Sequence, residues 1–183
     1  EMLDDLTDRL EQKSYMNAYT YYKIGRYKSA IVAFKNVMKR YPESKRTEEM
    51  MYYATVSAYR LAEFCRNHPK VKSVSFVGFE EHPSHALAKK YFRHGASAVM
   101  TIELQGDLDS TVKFVESLKL SGNMTMIGDS ITVVTHPAST THKQLSDEAK
   151  RAAGITPTLL RISLGLENVE DIIADYEEAL SKI

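Results

Sequence analysis

The sequence predicts an α+β protein in which an α-helical hairpin precedes a small α/β domain with a four-stranded sheet. Nine of the eleven tyrosines lie within residues 1–64, but this part holds only one of the eight glycines and one of the five prolines. Glycine and proline mark turns between short elements, and the rest of the chain alternates β-rich runs with helical patterns. We therefore predict two domains, residues 1–62 and residues 63–183.

The first domain is predicted to be entirely helical. Apolar residues recur at helical spacing in three segments, over residues 14–24, 27–40 and 46–66. Gly25 would end the first helix, and Pro42 lies just beyond the second. Neither glycine nor proline interrupts the third helix, so it should run unbroken across the domain boundary until Pro69 ends it.

The second domain alternates strands and helices. Four runs rich in β-branched residues predict strands, over residues 71–77, 98–104, 131–135 and 159–164. Amphipathic segments between and after them predict helices, over residues 84–92, 109–118, 146–154 and 168–180. Asp109 and Asn168 are the predicted N-caps of two of these helices. Strands that alternate with helices indicate an α/β layer with one face of the sheet covered.

Charge, hydropathy and cysteine content exclude several classes of protein. The chain contains 24 basic and 24 acidic residues, so it lacks the basic excess of a nucleic-acid-binding protein. No apolar stretch approaches the roughly 18 residues that a membrane span needs. Cys65 is the only cysteine, which excludes an internal disulfide and a multi-cysteine zinc site. We expect no nucleic-acid partner, no membrane partner and an inert Cys65.

The first domain contains the run Gly25-x-Tyr27-x-x-Ala30-Ile31-x-x-Phe34, followed by Pro42. This spacing resembles the second helix of a tetratricopeptide repeat (TPR). The longer run from Leu6–Tyr15 through Tyr41–Lys45 also resembles, within residues 1–62, a TPR segment of the outer-membrane β-barrel assembly lipoprotein family. This resemblance implies a periplasm-facing scaffold with a protein partner on the TPR face. The apolar residues of the helices would otherwise pack within the hairpin, against the second domain or across a homo-oligomer.

The second domain contains two longer motifs, His136-Pro137-Ala138-Ser139-Thr140-Thr141-His142 and Leu160-Arg161-Ile162-Ser163-Leu164-Gly165-Leu166-Glu167. Together they resemble the C-terminal domain of the Cys/Met-metabolism family, whose members are fold-type I enzymes that use pyridoxal 5'-phosphate (PLP). The shorter runs Asn67–Val71 and His82–His85 fit the O-acetylhomoserine sulfhydrylase branch of that family. The resemblance covers residues 62–183 and implies a cytoplasmic transferase as the parent enzyme.

The resemblance assigns one binding residue. In this family the arginine of the corresponding strand binds the substrate α-carboxylate, and Arg161 occupies that position. A guanidinium suits this task because it donates two parallel hydrogen bonds to a carboxylate. The alternative is that Arg161 makes a structural ion pair. Met126 stands where some relatives place a small polar residue near the substrate.

The family also uses residues that do not appear in this sequence. Its PLP-binding lysine, its acid for the pyridine nitrogen and its phosphate cup belong to the large domain that precedes this region. TPR-like sequence stands there instead. We therefore assign no catalytic or cofactor-binding residue and expect no bound PLP.

The histidines offer the alternative of a metal site. The candidates are His82, His85, His136 and His142. One pair is spaced i, i+3 beside a proline, but no carboxylate motif accompanies it. Imidazoles that hydrogen-bond to loops are the preferred interpretation, and no metal ligand is predicted.

Three functions remain open at this point. The first is a non-catalytic fusion, a chimera of a TPR fragment with the C-terminal domain of an O-acetylhomoserine sulfhydrylase-like enzyme. The second is a TPR scaffold or binding module related to outer-membrane protein assembly. The third is a sulfhydrylase whose PLP domain comes from a partner chain. We rank them in this order, so the chain is not expected to be an enzyme on its own.

Overall fold

Three long helices open the chain in a computed structural model that describes residues 2–24, 27–41, 44–92 and 96–183. They are α1 (Met2–Lys23), α2 (Tyr27–Arg40) and α3 (Lys45–Asn67). The bounds of α2 and α3 agree with the prediction to within one residue, whereas α1 begins well before residue 14. Gly25 and Pro42, the predicted turn residues, lie outside the described residues. No helix in this described part of the chain is long and apolar enough to cross a membrane.

Helices α1 and α2 pack against each other, and their described side chains include buried apolar residues on both helices. Ala18 of α1 and Phe34 and Val37 of α2 are buried. The Tyr15 ring meets the Phe34 ring edge-on, with the ring centroids 5.8 Å apart. This pairing is local, because the two helices follow one another in the sequence.

Helix α3 is continuous across the predicted domain boundary, which confirms that part of the prediction. The chain divides into two units, Glu1–Met51 and Tyr52–Ile183, earlier than the predicted boundary after residue 62. The reason is that the second half of α3 belongs to the core of the second unit. The buried apolar residues of that half are Ala54, Ala58, Leu61, Ala62 and Cys65.

In its described residues the second unit contains one sheet of five strands, one more than the four predicted. The strands are β1 (Val71–Ser75), β2 (Val99–Leu104), β3 (Gly122–Asn123), β4 (Val133–Thr135) and β5 (Leu159–Ser163). Their order is β1-β2-β5-β4-β3, and all neighbours run antiparallel except β3 and β4, which are parallel. Strand β3 was missed because two residues are too few to show an alternating pattern.

Four helices accompany the sheet. They are α4 (His85–Tyr91), α5 (Leu108–Ser117), α6 (Asp147–Ala152) and α7 (Val169–Ser181). The predicted cap at Asn168 is confirmed, because its side chain accepts a hydrogen bond from Glu170 N. The predicted cap at Asp109 is wrong. Asp107 caps α5 instead, since its carboxylate accepts the Ser110 N–H at 2.9 Å.

The two faces of the sheet differ in polarity. Alternate side chains of β2, β4 and β5 lie in an apolar core, together with buried residues of α3, α5 and α7. The strand residues in this core are Val71 of β1 and, from the other three strands, Met100, Ile102, Leu104, Val134, Leu160 and Ile162. The side chains between them lie on the opposite face, called the polar face below. Arg161 belongs to the polar face because it alternates with Leu160 and Ile162.

Candidate functional site

Strand register places Arg161 in a row of hydroxyl side chains on the polar face. Arg161 of β5 pairs with Thr101 of β2 and with Thr135 of β4. Thr101 in turn pairs with Ser75 of β1. Residues that are paired across neighbouring strands share a face of the sheet. The row therefore consists of three hydroxyls and one guanidinium.

Neutral oxygens hold the Arg161 guanidinium in place. Its Nη2 donates to Thr125 O at 2.7 Å and to the Thr135 hydroxyl at 3.1 Å. The Thr135 hydroxyl donates to Met124 O at 2.5 Å. These bonds use Nη2 alone, and a guanidinium has five N–H groups. The head group is thus oriented while most of its donors are left for a ligand.

The positive charge of Arg161 has no anionic partner among the described residues. No carboxylate of those residues pairs with it, so the alternative of a structural ion pair is not observed there. The Nε atom is buried and makes no hydrogen bond within the described chain. A buried donor without an acceptor costs about 1–3 kcal/mol. This arrangement favours an acceptor that comes from a bound anion.

A loop of residues 124–132, called the β3–β4 loop, borders the guanidinium. It supplies Thr125 O, and its Gly128 N donates to the Ser163 hydroxyl at 3.2 Å. Met126 and Ile127, between these two contacts, expose 51% and 59% of their surface. With Met124, the loop thus carries three exposed apolar side chains close in sequence to Thr125, the residue whose carbonyl oxygen holds Arg161.

A buried carboxylate holds the end of the β3–β4 loop that leads into β4. Glu167 accepts the Thr132 N–H at 2.7 Å and the Thr132 hydroxyl at 2.8 Å. Burial raises the pKa of Glu167, and these hydrogen bonds oppose the rise. The sequence pattern assigned Glu167 no role, because an acidic residue just before a helix is ordinary. One sequence feature could have indicated its role: Glu167 lies two residues after Gly165, whose N–H donates to the Thr132 hydroxyl.

The four candidate histidines make hydrogen bonds within loops. His82 bonds to the Ser75 hydroxyl at 3.2 Å, His85 to Val77 O at 3.0 Å and His142 to the Thr141 hydroxyl. His136 is buried; its Nε2 donates to Pro157 O at 2.8 Å, and its Nδ1 lies 2.8 Å from the Ser139 hydroxyl. Desolvation lowers the pKa of His136. No three potential metal ligands cluster within the described residues.

The lone thiol lies away from this chemistry. Cys65 is buried in the core of the second unit. Burial raises the pKa of Cys65 to about 12. The thiol therefore stays protonated at neutral pH, and a protonated thiol is a poor nucleophile.

Fold and site together define a class of protein. A small α/β domain presents an arginine on the polar face of its sheet, and no described carboxylate neutralises it. Guanidinium groups held in this way bind carboxylates and phosphates. The second unit is thus an α/β domain that presents an oriented guanidinium without an anionic partner among the described residues. The family model described as "Cys/Met metabolism PLP-dependent enzyme" matches residues 48–181, and the chain belongs to this family.

Two curated relatives and one solved structure illustrate the match. Homocysteine synthase from Schizosaccharomyces pombe is 45% identical over 124 residues, which are 68% of this chain and 29% of that protein. O-acetyl-L-homoserine sulfhydrylase from Leptospira meyeri is 41% identical over 128 residues, which are 69% of this chain and 29% of that protein. The crystal structure of cystathionine gamma synthase from Xanthomonas oryzae pv. oryzae, in complex with aminoacrylate and cysteine, superposes with a TM-score of 0.65. It is 36% identical, over 72% of this chain and 34% of that one. This chain spans about 29% of the length of the two curated relatives.

These relatives contradict the expectation of a non-catalytic fusion. Proteins 41% and 45% identical to this chain are a sulfhydrylase and a homocysteine synthase, so the chain resembles part of a sulfhydrylase. The expectation that it is not an enzyme has no support. The matches also give no support to a TPR segment in residues 1–62, to a scaffold role in outer-membrane assembly or to a periplasm-facing location.

The cofactor of this family needs a site that the described residues do not form. A Schiff base requires a lysine held beside the pyridoxal ring, but no lysine whose side chain is described here is buried. Lys70, for example, donates from Nζ to Leu180 O and Ile183 O, at the end of α7. The described residues therefore do not provide the lysine that PLP chemistry needs. The absence of a bound cofactor stays a prediction.

Proposed function

We propose that the second unit is the substrate-carboxylate-binding domain of a PLP-dependent sulfhydrylase that uses O-acetylhomoserine. The observation that carries this proposal is the Arg161 guanidinium on the polar face. It is oriented by two neutral oxygens, lacks a carboxylate partner among the described residues and keeps a buried Nε without an acceptor. The substrate class comes from the names of the relatives.

In this proposal Arg161 binds the α-carboxylate of the amino-acid substrate. The charge-assisted bonds come from N–H groups that Thr125 and Thr135 leave unused. Because Nη2 is held at two points, the guanidinium does not have to be ordered when the substrate arrives, which lowers the entropic cost of binding. The exposed side chains of Met126 and Ile127 lie where they can contact the apolar part of a substrate. Orientation of the substrate is the task of this domain.

A domain exchange tests the proposal. The region of the Leptospira meyeri sulfhydrylase that matches this chain is replaced by residues 48–181, and homocysteine formation from O-acetyl-L-homoserine and sulfide is measured. We expect activity in the exchanged enzyme. Arg161→Ala should raise KM for O-acetyl-L-homoserine about 100-fold, since a hydrogen-bonded charge contributes about 1.5–3 kcal/mol.

Two controls make the result interpretable. Arg161→Lys keeps the charge but loses the planar fork, so its KM should lie between those of the parent and Arg161→Ala. Lys143→Ala removes a surface cation and should leave KM unchanged. An exchanged enzyme whose KM does not respond to Arg161→Ala would contradict the proposal.

A further inference from the structure

The orientation of Arg161 depends on where the β3–β4 loop places Thr125 O. At its first end, the loop is attached to β4, because Met124 N donates to Val134 O at 3.2 Å. The Thr135 hydroxyl adds a second bond there, to Met124 O. Near the middle, Gly128 N bonds to the Ser163 hydroxyl. A loop that supplies one acceptor to a guanidinium needs both ends fixed, since a shift of either end moves that acceptor.

The second end of the loop is attached to the segment that follows β5. Glu167 accepts two hydrogen bonds from Thr132, one from its N–H and one from its hydroxyl. The same hydroxyl accepts the Gly165 N–H at 3.0 Å. Leu166 N donates to Ser130 O at 3.0 Å. The strand that carries Arg161 therefore continues directly into the segment that holds this end of the loop.

Close backbone approach supports the same attachment. A Cβ added at Gly165 would lie 2.5 Å from Thr132 N, which is too close for any side chain. The Thr132 side chain is fully buried and Glu167 is nearly so. A buried carboxylate is costly unless hydrogen bonds satisfy it, and both Glu167 oxygens are used on Thr132. The Glu167 carboxylate is thus satisfied by Thr132, one hydrogen bond to each oxygen.

We propose that Glu167 is a positioning residue for the carboxylate site. Its carboxylate fixes the β3–β4 loop through Thr132, and the fixed loop holds the Arg161 guanidinium through Thr125 O in the orientation that binds a carboxylate. The identity of that ligand rests on the proposed function, whereas the effect of Glu167 on Arg161 does not. Glu167 touches neither Arg161 nor the ligand in this scheme.

The first measurement follows Arg161 directly, by NMR of the uniformly ¹⁵N-labelled full chain. The Arg161 Nε–H signal is identified by its loss in Arg161→Lys. Glu167→Ala removes both acceptors, so exchange of the Thr132 amide and of the Arg161 Nε–H should each become at least about tenfold faster. Glu167→Gln keeps one acceptor oxygen, so it should restore most of the protection. An Arg161 Nε–H signal unchanged in a folded Glu167→Ala protein would overturn the proposal.

A variant pair covers the case in which Glu167→Ala does not fold. Thr132→Val keeps the side-chain volume but removes the hydroxyl, whereas Thr132→Ser keeps the hydroxyl. We expect faster Arg161 Nε–H exchange in Thr132→Val and near-normal exchange in Thr132→Ser. Equal exchange in the two variants would count against the proposal.

A titration with O-acetyl-L-homoserine separates this inference from the proposed function. Two outcomes would refute the proposed function: wild type and Arg161→Lys bind the ligand with equal affinity, or wild type does not bind it. In either case the hydrogen-exchange measurement alone decides the role of Glu167. Binding that is weakened in Arg161→Lys but unchanged in Glu167→Ala would refute the positioning role alone. Binding weakened about tenfold in Glu167→Ala and restored in Glu167→Gln would support both.

Discussion

The described side chains of Glu1–Met51 and those of Tyr52–Ile183 differ in how much apolar surface they bury. Among the described side chains of the first unit, the buried apolar ones are Ala18, Phe34 and Val37. The large apolar side chains it exposes are Leu6, Leu10, Met16, Tyr21, Ile24 and Val32. The second unit instead has one continuous core built from a sheet and three helices. Burial matters for stability, because helices in proteins are stabilised mainly by the tertiary packing of their apolar faces.

The physical reason is how much of the conformational entropy lost on folding each unit can offset by burying apolar surface. Ordering a residue costs about 1–2 kcal/mol of backbone entropy, and buried apolar surface is the main term that opposes this cost. A helical pair of this length buries little. The core of the second unit brings together segments that are far apart in the chain, such as α3 and α7. Each of these segments buries its apolar side chains against the others.

The largest test of this comparison is to express the two units separately. We expect residues 52–183 to unfold cooperatively on heating, followed by circular dichroism. Residues 1–51 should show no cooperative transition at micromolar concentration, because two helices bury too little apolar surface. A cooperative transition of residues 1–51 that does not depend on concentration would contradict the comparison. A transition that strengthens with concentration would support the predicted homo-oligomer, which, like a partner on the TPR face, stays a prediction.

A smaller effect is expected from matched leucine substitutions, one in each unit. Leu61 is fully buried in the core of the second unit, whereas Leu10 is 49% exposed. Leu61→Ala should lower the free energy of unfolding by about 3 kcal/mol, through lost burial and a cavity. Leu10→Ala should change it by less than about 0.5 kcal/mol. Urea denaturation of both variants measures the difference, and similar losses would show that the first unit has a core of its own.

The smallest effect concerns pH, and it should be confined to the second unit, which contains all six histidines. Desolvation lowers the pKa of His136 below its usual 6.5, so the native state binds fewer protons than the unfolded state near that pH. The stability that neutral His136 contributes is present above pH 6.5 and is lost as the pH falls through 6.5 towards the lowered pKa. We therefore expect wild type to lose stability between pH 7.5 and 5.5.

His136→Gln provides the control for this pH effect, because its amide can still donate to Pro157 O. Its stability should fall less over the same interval in urea denaturation. The raised pKa of Glu167 acts in the opposite sense, since its contribution is greatest below pH 4.5 and declines as the pH rises. Glu167 is present in both proteins, so it cancels from the difference. Equal pH slopes for wild type and His136→Gln would refute the role of His136.

Local patterns were sufficient for the elements that depend on neighbouring residues. Helices α2 and α3 ended where the apolar spacing and the breakers indicated, and Asn168 formed the expected cap. Asp107 rather than Asp109 caps α5, because the capping box requires a partner three residues on, and Ser110 stands at that spacing from Asp107. The residue three positions after Asp109 is Val112, which cannot complete a capping box.

What the amino-acid sequence determined by itself was the order of the helices and of four of the five strands. The family resemblance also predicted Arg161 as a carboxylate-binding residue, and this role stays a proposal. Tertiary structure alone decided that β3 pairs with β4, that Thr135 lies beside Arg161, and that Glu167 reaches back to Thr132. Helical spacing and capping act over three or four residues, so they are visible in a line of sequence. Strand register and buried polar contacts join residues 26 or 35 positions apart. Nothing local specifies such pairs, because they form only when the whole core packs.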